Sequence, residues 1–210
     1  MDFEELIGKL KTRLGRPLPG VSAHIPLLAK PVGALRPTFD HRLPPRPGSV
    51  LILLYPFNDS IWFPLTKRAD YLGAHGGQIS LPGGKAEPGE DFIQTALRES
   101  REEIELNPDT VEVLGRLSDF FVIPSNFLVT PVIGISRSKP VLEVDHNEVV
   151  KILACNLFAL IRNDAVKEKE IMAAGRFPMR APYFEVEGEI VWGATAMMLN
   201  ELRVIVQEVI

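Results

Sequence analysis

Cysteine is almost missing from this chain: Cys155 is the only one in 210 residues. No intrachain disulfide and no multi-cysteine zinc site can form, and a single thiol inside "VVKILACNLF" reads as a small buried hydrophobe. An excess of one charge is missing too. The 23 Lys and Arg against 27 Asp and Glu leave a net charge of −4, which argues against nonspecific binding to nucleic acid or an anionic membrane. It leaves room for a small anionic ligand held through a metal. No apolar run approaches the ~20 residues that cross a bilayer. The opening "MDFEELIGKLKTRLG" has no secretory apolar core, and its early acids do not suit a transit peptide. The expectation is a cytoplasmic protein in a reducing compartment, with no membrane or nucleic-acid partner. At 46% hydrophobic and 24% charged, the chain supports one domain with a full core plus an extension.

Phe3, Leu6, Ile7, Leu10 and Leu14 follow helical spacing, predicting an amphipathic first helix. Eight of the eighteen prolines fall between residues 17 and 48, too many for a packed helix or a central strand. Residues 1–48 therefore read as a helix followed by an extended Pro-rich arm, and 49–210 as the main domain. "SVLILLYPF" and "IWFPLTKR" read as two buried strands joined by a turn at "NDS". "VEVLGRLSDFFVIP", "FLVTPVIGIS" and "NEVVKILACNL" read as further strands, "PYFEVEGEIVWG" as the last strand, and "ATAMMLNELRVIVQEV" as a closing helix. Strands outnumber helices without βαβ alternation, so a mixed sheet with helices packed on it is expected, an α/β (α+β) class.

The chemistry concentrates in "LPGGKAEPGEDFIQTALRESREEIEL". Gly84 and Gly89 have P-loop separation, but Glu90 and Asp91 stand where that motif demands Lys and Ser or Thr. A helix should begin near Glu90 or Asp91, after the Pro88-Gly89 break. Glu99, Glu102 and Glu103 then sit at i, i+3 and i+4 and converge beside an apolar stripe of Ile93, Ala96, Leu97, Ser100 and Ile104. Like charges so placed each cost an isolated helix roughly 0.2–0.5 kcal/mol. Either the face is solvated, with Arg98 and Arg101 compensating, or a cation belongs there. Hard oxygen ligands suit Mg²⁺ or Mn²⁺ rather than zinc.

Taken together, Gly84, five residues, Glu90, seven residues, "RESREE" and Leu106 resemble the Nudix box. Two positions depart: Ser100 replaces an aliphatic residue, and Glu105 replaces a glycine that readily takes positive φ, implying a different helix exit. The resemblance implies an α/β/α sandwich that hydrolyses nucleoside diphosphate-linked compounds. It casts Glu99, Glu102 and Glu103 as the metal-binding catalytic acids, with the Gly83 carbonyl as a further ligand. Glu90 and Arg98 match the pair that ties loop to helix, a structural support of the box. The general base in this family is a box glutamate or an acid on a downstream loop. Glu148 in "DHNEVV" is the better placed outside candidate, ahead of Glu143 and Asp145; the alternative is that "EVDHNE" is a solvated acidic loop.

The stretch before the box, "PLTKRADYLGAHGGQISLPGGK", resembles the signature of Nudix coenzyme A diphosphatases. Thr66, Arg68, His75, Gly77, Gln78, Ser80 and Pro82-Gly83-Gly84 fit it. Ala69, Gly73 and Leu81 replace the usual serine, second arginine and phenylalanine. The resemblance implies substrate contacts from Arg68, His75 and Gln78, with Lys67 or Arg68 taking over from the arginine absent at Gly73. His75 orients phosphate or shuttles a proton in one reading, and fixes its loop by hydrogen bonds in the other. "NEVVKILACNLFALI" and "IVWGATAMMLNEL" also look like this subgroup, with Trp192 as core at a strand-to-helix junction. His24, His41 and His146 lack ligand spacing and read as surface or arm residues. The expected substrate is coenzyme A or a derivative, cleaved to 3′,5′-ADP and 4′-phosphopantetheine. The alternatives are ADP-ribose, another nucleoside diphosphate sugar or a nucleotide, and a Nudix-fold binding module without catalysis. Analogy to related enzymes implies a homodimer.

Overall fold

The computed structural model describes residues 2–33, 36–69 and 76–210. Helix α1 (Phe3–Leu14) is capped by Asp2, whose side chain accepts from Glu5 N at 2.7 Å. Its Leu6, Ile7 and Leu10 are buried, as their spacing requires of an amphipathic helix. The Pro-rich segment is not uniformly extended: α2 (Val21–His24) and a 3-10 turn (Ile25–Leu27) precede a two-residue strand β1 (Lys30–Pro31). Pro26 sits in the first turn, where its missing N–H costs nothing, and Ala23, His24 and Leu27 bury inward. Residues 36–45 contain neither helix nor strand.

β2 (Arg46–Phe57) and β3 (Ser60–Arg68) form a hairpin through Asn58 and Asp59, both left-handed (φ 48° and 54°) as such tight turns require. There follow β4 (Ile79–Ser80), β5 (Gly83–Lys85), α3 (Phe92–Ile104), β6 (Glu112–Arg116), β7 (Phe120–Val122), β8 (Phe127–Ile135), β9 (Val149–Asn156) and the short α4 (Leu157–Leu160). β10 (Val166–Ala173), β11 (Phe177–Val186), β12 (Glu189–Trp192) and α5 (Gly193–Gln207) complete the chain. Among the described residues, eight strands make a mixed sheet along β4-β3-β2-β8-β6, with β9 on β3, β5 on β2 and β7 on β8. β2 runs parallel to β8, and its pairings with β3 and β5 are antiparallel.

β2 is apolar without alternation because both of its faces are covered. Leu51 and Leu53 pack with Ala96, Ile104 and Leu106 on the α3 side. Ile52 and Leu54 join the larger cluster containing Leu6 and Leu10 of α1 and Leu199, Leu202 and Ile205 of α5. The result is the expected α/β/α sandwich.

Three strand assignments change. "VEVLGRLSDFFVIP" is two strands, β6 and β7, broken at residues 117–119. "PYFEVEGEIVWG" is a hairpin, β11–β12, turning at Glu187 and Gly188, both at positive φ. A strand that the sequence pattern does not predict, β10, pairs with β11 from Val166↔Phe184 to Ala173↔Phe177. β10 alternates Lys and Glu through its first half, with Ile171, Met172 and Ala173 at its end, and it is held by cross-strand ion pairs, Lys167–Glu185 at 2.8 Å and Arg180–Glu170 at 3.2 Å.

Candidate active site

Two glycines decide where the loop before α3 can run. Gly83 pairs with Val50 and Gly84 with Ser49 as β5 lies against β2. A Cβ on Gly83 (φ 147°) would stand 2.3 Å from Ser49 O, and one on Gly84 would stand 2.4 Å from Glu99 Oε2. Glycine alone admits the strand and the carboxylate at this range. α3 starts with a capping box: Asp91 Oδ1 accepts from Gln94 N at 2.8 Å, and Gln94 Oε1 accepts from Asp91 N at 2.9 Å. Ser100 is fully buried and donates to Ala96 O at 2.7 Å, so its hydroxyl is satisfied where the box pattern has an aliphatic residue.

The expected change of helix exit does not occur. Glu105 itself takes the left-handed conformation, φ 52° and ψ 27°. The turn delivers Leu106 into the core, and burying that side chain offsets the roughly 1–2 kcal/mol of left-handed strain.

Glu90 and Arg98 form the expected clamp. Arg98 Nε and Nη2 donate to Glu90 at 2.6 and 3.0 Å, and Nη2 also reaches Lys85 O at 3.0 Å. Glu90 accepts further from Glu87 N and Thr95 Oγ1. Chiefly through the Arg98 hydrogen bond, its pKa falls to about 2. Arg98 Nη1 donates in addition to Glu99 Oε1 and Glu102 Oε2, both at 2.9 Å. Glu102 is the outlying acid, its side chain 57% exposed.

Glu103 is the buried one, its side chain 2% exposed. Its Oε2 accepts from Gly83 N at 3.0 Å, and its Oε1 from Arg68 Nη1 at 3.3 Å. Burial pushes its pKa up to about 7 against the pull of Gly83 N–H and Arg68, with Glu99 and Glu148 adding to the rise. Burial also raises Glu99, opposed by Arg98. The three acids thus do not converge as the helical spacing alone implied. Glu99 and Glu102 lean to Arg98, Glu103 leans to Gly83 and Arg68, and no ready cage of three His, Cys, Asp or Glu exists among the described residues.

The donor set nevertheless suits a hard dication. One buried and one partly buried carboxylate have their charged forms disfavoured by desolvation, and Glu99 abuts a glycine backbone where a side chain would exclude it.

Glu148, at the head of β9, is close enough for its charge to raise both Glu99 and Glu103. Its carbonyl accepts from Ala69 N at 3.0 Å. Glu143 and Asp145 serve the scaffold instead: their N–H groups donate to Ile104 O and Glu103 O at 3.1 and 3.0 Å. Asp145 Oδ1 also caps Asn147 N.

Of the expected substrate contacts, Arg68 joins the acids and Lys67 does not. Lys67 Nζ pairs with Glu189 Oε1 on β12 at 2.8 Å. Gln78 holds the loop through its carbonyl, which accepts from Arg68 N at 3.1 Å, and it lines an adjoining cleft. His75 lies outside the described residues.

That cleft, about 550 Å³, runs beside Gly77, Gln78, Ile171, Met172, Glu189 and Trp192. Trp192 is therefore a partly exposed wall rather than core. Its exposure is not legible from the sequence, because the pattern of β10, whose Ile171 and Met172 line the same cleft, predicts no strand. His24 also departs from expectation. It is 5% exposed, with Nε2 at 2.9 Å from Glu201 Oε2, and Glu201 is wholly buried. Ser118 Oγ and Gly20 N donate to the same carboxylate at 2.6 and 2.9 Å. His41 and His146 are exposed as expected. Cys155 is buried, which pushes its thiol up to about 12 and leaves it inert.

The NUDIX domain family model matches residues 45–174. The chain is 33% identical over 139 residues to an uncharacterized Nudix hydrolase, NudL, of Yersinia enterocolitica, covering 66% of this chain and 70% of that one. It is 38% identical over 117 residues to Nudix hydrolase 3 of Caenorhabditis elegans, covering 54% of this chain and about half, 49%, of that protein. In solved structures, the fold is similar to the Nudix hydrolase RenU of M. smegmatis, with a TM-score of 0.51 at 16% identity, covering 79% of this chain and 89% of that one. The glycine-backed acids on α3 and the sandwich that carries them have the same origin: the chain belongs to the Nudix family of pyrophosphohydrolases, enzymes that work with divalent metal ions.

Proposed function

We propose that this enzyme hydrolyses the pyrophosphate of coenzyme A or a derivative, releasing 3′,5′-ADP and 4′-phosphopantetheine, with Mg²⁺ or Mn²⁺ as cofactor. The observation that carries the catalytic part is the placement of Glu103 and Glu99 against Gly83 and Gly84. Glu99, Glu103 and the Gly83 carbonyl would hold the ion, with Glu102 at the exposed edge. Such an ion supplies Lewis acidity, making water a better nucleophile and offsetting charge on the leaving phosphate. Glu148 takes the proton of the attacking water, a role supported by its electrostatic reach to Glu99 and Glu103. Arg68 orients a phosphate oxygen from the Glu103 side. Glu90 and Arg98 keep the loop seated on α3 and touch no reacting atom.

The coenzyme A assignment rests on the stretch preceding the box, in which Arg68, Gln78 and Ser80 keep the subgroup pattern. Gly73, in the place of an arginine, favours a second reading, hydrolysis of ADP-ribose or another nucleoside diphosphate compound. Purified protein with Mg²⁺ or Mn²⁺ assayed against coenzyme A, ADP-ribose and nucleoside triphosphates separates the two. A clear preference for ADP-ribose overturns the first. The setting we propose is a cytoplasmic homodimer to which residues 1–48 contribute contacts. Light scattering of the full chain and of a chain lacking residues 1–45 tests this; a full chain that runs as a monomer defeats it.

A further inference from the structure

The acids on α3 account for the diphosphate but not for the rest of the substrate. The cleft beside them has a distinct chemistry. Its apolar wall is made by Ile171, Met172, Ile190 and Trp192, and Met172 is 59% exposed. The one ionised residue of the lining among the described residues, Glu189, is neutralised by Lys67 at 2.8 Å. Among the described residues no Lys or Arg lines the cleft, so a phosphorylated ribose would find no counter-charge in that lining. Gly77, Gly175 and Gly188 lie at its edge at positive φ, and a Cβ on Gly175 or Gly188 would meet open space. Bare peptide groups are therefore accessible there.

We infer that this cleft between β12 and the β10–β11 turn is the subsite for the neutral, amide-bearing arm of the substrate, an inference that rests on the coenzyme A reading. Branched and thioether side chains cover the arm's methyl and methylene groups, peptide groups at Gly77, Gly175 and Gly188 meet its amides, and the Trp192 indole forms the far wall. The adenosine half, with its additional phosphate, goes to the cationic side near Arg68.

The chain has two tryptophans. The other, Trp62, donates its Nε1–H to Phe57 O at 2.9 Å in the β2–β3 hairpin. Pantetheine, which carries neither diphosphate nor nucleotide, is titrated into the full-length protein while tryptophan emission is followed. The expected result is a saturable change in the wild type and in Trp62→Phe that is lost in Trp192→Phe. Met172→Glu, at an exposed position, weakens pantetheine binding and raises KM for coenzyme A about tenfold, acting on KM more than kcat, and Met172→Leu restores both. An equal response in Trp192→Phe, no response in the wild type, or unaltered pantetheine binding in Met172→Glu overturns the assignment. If the enzyme cleaves ADP-ribose and ignores coenzyme A, the substrate reading fails separately. The titration needs no turnover and still decides what the cleft holds.

Discussion

Glu103 gathers the electrostatic demands of the site into one carboxyl. It is nearly inaccessible, it faces Gly83 N and Arg68, and its pKa rises from 4.5 to about 7. Because the folded value exceeds the unfolded one, the stability associated with this group is fully present below pH 4.5 and is lost as pH rises through about 7. In chelator-treated protein the loss is roughly 3 kcal/mol, and Glu103→Gln flattens it. Urea unfolding at pH 5 and pH 8 with EDTA measures both; a pH slope that survives the substitution places the effect elsewhere. With metal and substrate present, the same variant loses turnover by at least about 100-fold while keeping its circular dichroism. Opposite signs for stability and activity in one variant mark a group placed for chemistry rather than for packing.

The helix α3 carries the two element-scale expectations. Glu105 occupies a left-handed exit that glycine takes at little cost, so Glu105→Gly raises stability by about 0.5–1 kcal/mol. A thermal melt decides this, and a lower melting temperature would show that the Glu105 side chain stabilises the exit. Glu90→Gln breaks the clamp on Arg98 and loosens residues 85–90. A fall of about tenfold in kcat/KM with faster amide exchange confined to that loop is expected; fast exchange throughout α3 would contradict the local role. These acids were legible in the sequence because every relation among Glu90, Arg98, Glu99 and Glu103 lies within a few turns of one helix. β2 was legible because continuous apolar residues have only one economical placement. β10 was not: its Lys and Glu residues look solvated until Arg180 and Glu185 of the neighbouring strand are set against them. The cleft wall facing Trp192 is hidden with it.

At the scale of the whole molecule, the first thirty residues are bound into the fold by the last helix. Glu201 on α5 receives His24, Ser118 and Gly20, and Asn200 Nδ2 donates to Ala23 O at 2.7 Å. Burial works to raise the Glu201 pKa, but the hydrogen bonds from His24, Ser118 and Gly20 outweigh it and the net shift is downward. The stability this group adds is therefore present above its unfolded pKa and is lost as pH falls through the lower folded value. His24→Ala removes one partner of a buried carboxylate and destabilises by about 2–4 kcal/mol in urea titrations at pH 7; a cost under about 0.5 kcal/mol would mean that water replaces the imidazole. Sequence reading could not pair these residues, since 177 positions separate His24 from Glu201 and no periodicity links the two segments. The pairing also sets an order of events during synthesis. Helix α2 and the turn carrying Leu27 pack on α5, which is synthesised well over a hundred positions later, so the nascent polypeptide holds Leu27 without its α5 neighbours until those positions have been made, the interval in which a holding chaperone has a hydrophobic target.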